Sequence, residues 1–113
     1  KAKQICLEYM GESFTFLNPQ KLIEPLWKFS SSLLENKENY SQLINILMHL
    51  AGMFERALRQ DTLIAPQEEL KLTEQTERFQ QLEQALNILS GTFQIEMPKD
   101  EIYYLEQLLA YQE

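Results

Sequence analysis

The chain has 113 residues and one histidine, so imidazole chemistry is confined to His49. It lies in the run His49-Leu50-Ala51-Gly52-Met53-Phe54-Glu55-Arg56. At ~100° per helical residue, Leu43, Ile46, Leu47, Leu50, Met53, Phe54, Ala57 and Leu58 share one broad apolar face, and His49 sits at its edge. Its polar-side neighbours are Gln42, Asn45 and Arg56. Arg56 lies about 10 Å further along the axis and nearly in line with His49. Helical side chains lean toward the N-terminus, so this guanidinium leans back toward the imidazole, and Gly52 leaves the ring uncrowded. A half-exposed imidazole beside an anion-binding arginine is suited to accept a phosphoryl group. The competing reading is a packed imidazole with one hydrogen bond. Geometry alone leaves both open.

Other chemistry finds little support. A zinc site needs three or four His, Cys or carboxylate ligands, and the single His and single Cys, Cys6, are far apart in sequence. No Gly-rich phosphate loop, GxSxG elbow or CxxC pair occurs. Glu68, Glu69, Glu74, Glu77 and Glu83 form an acidic region that reads as solvated surface rather than an acid–base pair. Trp27, Tyr103 and Tyr104 read as core or interface aromatics, and Met48, Met53 and Met97 as packing residues. Ile44 and Met48 fall on the polar side of the His49 helix and hint at an apolar patch that a partner could cover. The expectation is a protein that is not an enzyme and carries no cofactor or metal.

Bulk properties agree with a binding module. Seventeen acidic against ten basic residues give a net charge of −7, which opposes direct nucleic-acid binding by this domain. The 44% hydrophobic content predicts a folded chain, and the length predicts one helical domain over residues 1–113. A lone cysteine fits a reducing, cytoplasmic setting. No apolar run approaches the roughly 20 residues of a membrane span. The first residue is Lys1, and the chain reads as a domain of a larger protein.

The elements that must position His49 are helical. Residues 2–10 predict a short helix stopped near Gly11, followed by an apolar connector, Phe14-Thr15-Phe16-Leu17. Asn18-Pro19 reads as an N-cap and first turn. Leu22, Leu26, Phe29 and Leu33 give an amphipathic stripe that Pro25 either starts or kinks. A polar turn over 35–39 ends in Asn39, a cap for the His49 helix, which runs to about Arg59 or Gln60. Residues 61–72 read as irregular. Thr73 is the expected cap of the next helix, with Glu74 and Glu77 in its first turns. Phe79, Leu82, Leu86 and Leu89 form its stripe, Ser90-Gly91 ends it, and residues 92–95 read as an extended link. Pro98-Lys99-Asp100-Glu101 opens a last helix with Ile102, Leu105, Leu108 and Leu109 on its face. Helices this short are marginal alone, so the expected fold is all-α, an antiparallel bundle of about five helices.

Three segments carry a resemblance: Asn18-Pro19-Gln20-Lys21-Leu22, the His49–Arg56 run, and Asp100-Glu101-Ile102-Tyr103-Tyr104-Leu105. Together they resemble the PTS regulation domain, most closely the form found in bacterial transcription activators of the LevR type. The resemblance covers most of the chain and implies a five-helix bundle that often forms homodimers and reports sugar availability. It implies that HPr or an EIIB-type protein of the sugar phosphotransferase system phosphorylates His49. Arg56, and Asn45 one turn before His49, are our candidate phosphate contacts. One departure stands out. The second histidine of many such domains would fall at Leu108, which cannot accept a phosphoryl group. The alternative is therefore a degenerate dimerisation or protein-interaction module without phosphorylation.

Overall fold

A computed structural model describes residues 2–13, 18–34 and 39–111. The expected connector over 14–17 and the turn over 35–38 lie outside the described residues. Among the described residues six helices follow in order: α1 (Ala2–Ser13), α2 (Pro19–Ser32), α3 (Tyr40–Arg59), α4 (Gln67–Thr73), α5 (Glu77–Thr92) and α6 (Lys99–Tyr111). Among the described residues there is no strand, so the all-α expectation holds. The chain falls into two compact units, Lys1–Glu55 and Arg56–Glu113.

In the first unit, α1 packs on α2. Cys6 and Met10, one turn apart on α1, are buried, as are Leu22, Ile23 and Leu26 of α2. Burial pushes the Cys6 thiol pKa up. Asn18 caps α2 by accepting the Gln20 N–H at 3.1 Å, with Pro19 in the first turn. Pro25 lies inside α2 rather than starting it. It has no N–H to donate, so the Lys21 carbonyl one turn back loses its helical hydrogen bond; Lys21 itself is an exposed residue. Asn39 accepts the Gln42 N–H at 3.2 Å, the expected cap of α3. On α3 the predicted stripe is buried from Leu43 through Phe54, and Ala51 and Glu55 are buried with it.

In the second unit, α4 and α5 pack on α6. Ala65, Leu70, Phe79, Leu82, Leu86, Met97, Ile102, Tyr103, Leu105 and Leu109 are buried. The predicted face of α3 does not continue here, since Ala57 is half-buried and Leu58 exposed.

Four local expectations are corrected. The first is α4, which occupies part of the stretch expected to be irregular. It has seven residues, too few for a periodic signal, and Glu68 and Glu69 favour its first turn. The second concerns the cap of α5. It is Thr76, whose Oγ1 accepts the Phe79 N–H at 3.2 Å; Thr73 is the last residue of α4. The third concerns the glycines. Gly11 and Gly91 lie inside α1 and α5 and neither has a positive φ, so they do not stop their helices. The fourth concerns the link over 92–95, which opens with the last helical residue and a turn rather than extended chain.

The stops of α3 and α5 are made by glutamines. Gln60 and Gln94 each have φ 57°. After α3, the Asp61 N–H donates to the Arg56 carbonyl at 3.0 Å and the Gln60 N–H to the Ala57 carbonyl at 3.2 Å. After α5, the Ile95 N–H donates to Ser90 at 2.9 Å and the Gln94 N–H to Gly91 at 3.1 Å. Both pairs are Schellman motifs, with a residue that is not glycine in the left-handed position.

The cap assignment separates two nearby threonines. Thr76→Ala should destabilise the domain by about 1 kcal/mol, and Thr73→Ala by clearly less. Urea denaturation of both variants checks this; equal losses would return the cap to Thr73.

Candidate functional site

His49 lies on the buried α3 helix and is itself half-buried. Its Nε2 atom has less than 1 Å² of accessible surface. Asn45, one turn earlier, is exposed, whereas Ile44 and Met48 are half-buried. α3 presents this segment on a helix whose cap, length and stripe from Leu43 to Phe54 are legible in the sequence.

Arg56 has a defined partner of its own. Its Nε donates to Glu101 Oε2 and its Nη2 to Glu101 Oε1, both at 2.8 Å. The Arg56 side chain is 23% exposed and that of Glu101 fully buried. This is a two-pronged guanidinium–carboxylate pair, the strongest geometry open to such groups. Hydrogen bonding to Glu101 holds the Arg56 pKa above its ordinary value, against the opposing effect of partial burial. Arg56 is therefore held as a fixed cation by a buried anion, an arrangement the spacing between His49 and Arg56 did not reveal.

The same carboxylate reaches further. Glu101 Oε2 also accepts the Leu63 N–H at 2.8 Å. Its neighbour Asp100 accepts the Ala65 N–H at 2.8 Å and Gln67 Nε2 at 3.2 Å. The Tyr104 hydroxyl donates to the Ile64 carbonyl at 2.9 Å. The Tyr103 hydroxyl donates to Glu69 Oε2 at 2.8 Å, and this bond is the main reason its pKa is pushed up to about 12. Glu69, expected to be simply solvated, thus has a structural partner, and so do Glu74 and Glu83, which share Lys99 at 3.3 and 4.0 Å. The first two turns of α6 hold the backbone of residues 63–65 through three hydrogen bonds, from Glu101, Asp100 and Tyr104. Acidic residues at a helix start are visible in sequence; their partners, 35 to 45 positions away, are not.

Leu108, where a second histidine would fall, is half-buried on α6. Among the described residues no group of three or more His, Cys, Asp or Glu side chains converges to hold a metal, and no helix is long and apolar enough to cross a membrane.

The described residues form an all-α domain with its only histidine on α3. The family model described as a PRD domain matches residues 24–112, and the chain belongs to that family, the PTS regulation domains. Neither the curated proteins nor the solved structures yield a match to the chain.

Two outcomes follow. Glu101→Gln should cost about 3 kcal/mol, at the low end for a broken buried pair because Arg56 keeps some contact with water; chemical denaturation measures it. The Tyr103 pKa is raised by folding from 10.0 to about 12. Its contribution is therefore complete below pH 10 and lost as pH rises toward 12. Urea melts from pH 9 to 12 should show wild type losing more stability than Tyr103→Phe; parallel curves would contradict this.

Proposed function

We propose that this PRD domain is a phosphorylation-controlled regulatory module of a bacterial transcriptional regulator, with His49 as the acceptor and HPr or an EIIB-type protein as donor. The observation that carries the reading is the position of the only histidine. It lies within the stretch matched by the family model, half-buried on α3 at the edge of the helix's buried stripe.

The chemistry is a simple exchange. A neutral imidazole nitrogen attacks the donor's phosphorus; the nitrogen–phosphorus bond forms as the bond to the donor breaks, and the donor side chain leaves. No oxidant or reductant takes part. Close packing around Nε2 leaves no room for a phosphoryl group. Transfer to that nitrogen therefore demands local repacking, and the added charge of about −1.5 to −2 then holds the new arrangement. This ties modification to a packing change, as a switch requires. Exposed Asn45 can contact the phosphoryl group directly. Arg56 can do so only by giving up Glu101, so its role would be a competition between two anions. A homodimer would carry the packing change to attached domains.

The second reading, a degenerate interaction module, is favoured by Leu108 in the second-histidine position and by the burial of Nε2. One assay separates the two. The folded domain is incubated with phosphoenolpyruvate, enzyme I and HPr, with and without EIIB proteins, and acid-labile phosphate is followed by intact mass. The switch predicts label on wild type, none on His49→Ala, and severalfold slower labelling of Asn45→Ala. A folded wild type that no donor labels would leave the interaction module.

A further inference from the structure

The two left-handed glutamines, 34 positions apart in the chain, line the same cleft. Its volume is about 410 Å³, and its lining includes Gln60 and Leu58 from the end of α3 and Gln94, Ile95, Glu96 and Pro98 from the chain after α5. Gln60, Gln94 and Glu96 are exposed, and among the described residues their side chains make no hydrogen bond or ion pair.

Glycine would stop both helices at lower cost. A residue with a Cβ in the left-handed region costs roughly 1–2 kcal/mol relative to the right-handed one, and glycine is the usual occupant of this position. The chain bears that cost twice, at two positions that line one cleft. The fold needs only the backbone conformation. The amide groups are therefore surplus to the fold, and their shared location gives them a common use.

Electrostatics select the ligand. α3 and α5 both end at this cleft; Arg56 and Arg59 offset the partial negative charge of the α3 end, whereas α5 has no basic residue in its last turn and brings the partial negative charge of a helix C-terminus. Glu96 adds a full one, and the chain carries −7 overall. Leu58, Ile95 and Pro98 supply apolar wall. Among the described residues no aromatic ring is in the lining, which disfavours stacked planar or saccharide ligands. An aliphatic stem ending in a cation satisfies all of these surfaces together, with its methylenes on the wall and its head among the amide oxygens and the carboxylate.

We propose that this cleft is a docking site for a basic side chain, arginine or lysine, of a partner protein, with Glu96 as counter-charge and Gln60 and Gln94 as hydrogen-bond acceptors. It is independent of phosphorylation at His49. Its specificity comes from charge and is weakened by salt.

The test uses the whole domain, titrated with acetyl-Gly-Arg-Gly-amide and followed by amide NMR. Its control is the same peptide carrying citrulline, the neutral isostere of arginine. The arginine peptide should shift the backbone and side-chain amide signals of Gln60 and Gln94 saturably and bind about fivefold or more tightly than the citrulline peptide, as for one charge-assisted contact at a partly exposed site. Glu96→Gln should remove that preference. The double variant Gln60→Gly/Gln94→Gly should melt about 5 °C higher and lose binding, so that lost binding cannot be blamed on unfolding. Equal affinity for the two peptides, shifts that do not saturate, or undiminished binding by the glycine variant would each overturn the proposal.

Discussion

A carboxylate with no exposure to water must be surrounded by donors, and Glu101 meets that demand with the Arg56 fork and the Leu63 N–H. The penalty for burying an unpaired ion is several kcal/mol, so this requirement dictates much of the second unit. It fixes the side chain at the last turn of α3. It fixes a loop amide that no secondary structure satisfies. Because Asp100 is adjacent in sequence and also in the first turn of α6, the next amide but one is fixed too. Tyr104, one turn after Asp100, donates to the Ile64 carbonyl between those two amides. The middle of a six-residue stretch without helix or strand, 61–66, is thereby held by the first two turns of α6. The positive end of the α6 dipole is the place where two adjacent acids are least costly.

How much of this could be read in the chain depended on the range of the interaction. The α3 stripe from Leu43 to Phe54 and the caps Asn18 and Asn39 are set by neighbours within a turn or two, and each was legible. The cap of α5 is ambiguous in the sequence because Thr73-Glu74 and Thr76-Glu77 offer the same local signal; the first ends α4 and the second caps α5. α4 was missed because seven residues give one buried position, Leu70, and one position has no period. Of the candidate site, His49 was legible because it is unique. The engagement of Arg56 was not, since a partner 45 positions away leaves no trace in spacing.

The helix stops show a related failure with a different cause. Glycine was expected to end α1 and α5 because it enters the left-handed region without strain. Both glycines instead sit in ordinary helix, where a Cβ at Gly11 or Gly91 would meet nothing within 4 Å. Neither packing nor backbone conformation demands glycine there. The glutamines that do end helices bear the strain the glycines would have avoided.

Departures from local rules are expected in any fold, and what matters is whether the fold itself compensates them. Pro25 removes one helical hydrogen bond, and the carbonyl it abandons belongs to an exposed residue, Lys21. Glu101 buries a charge, and three donors compensate it within the second unit. Gln60 and Gln94 are different. Their backbone bonds are those any Schellman motif supplies, glycine included, and their side chains return nothing to the fold. A cost that stability does not recover points outward to a ligand, whereas a compensated cost points inward to packing. By that criterion the Arg56–Glu101 pair belongs to the architecture of the domain, and the cleft between the two glutamines belongs to what it binds.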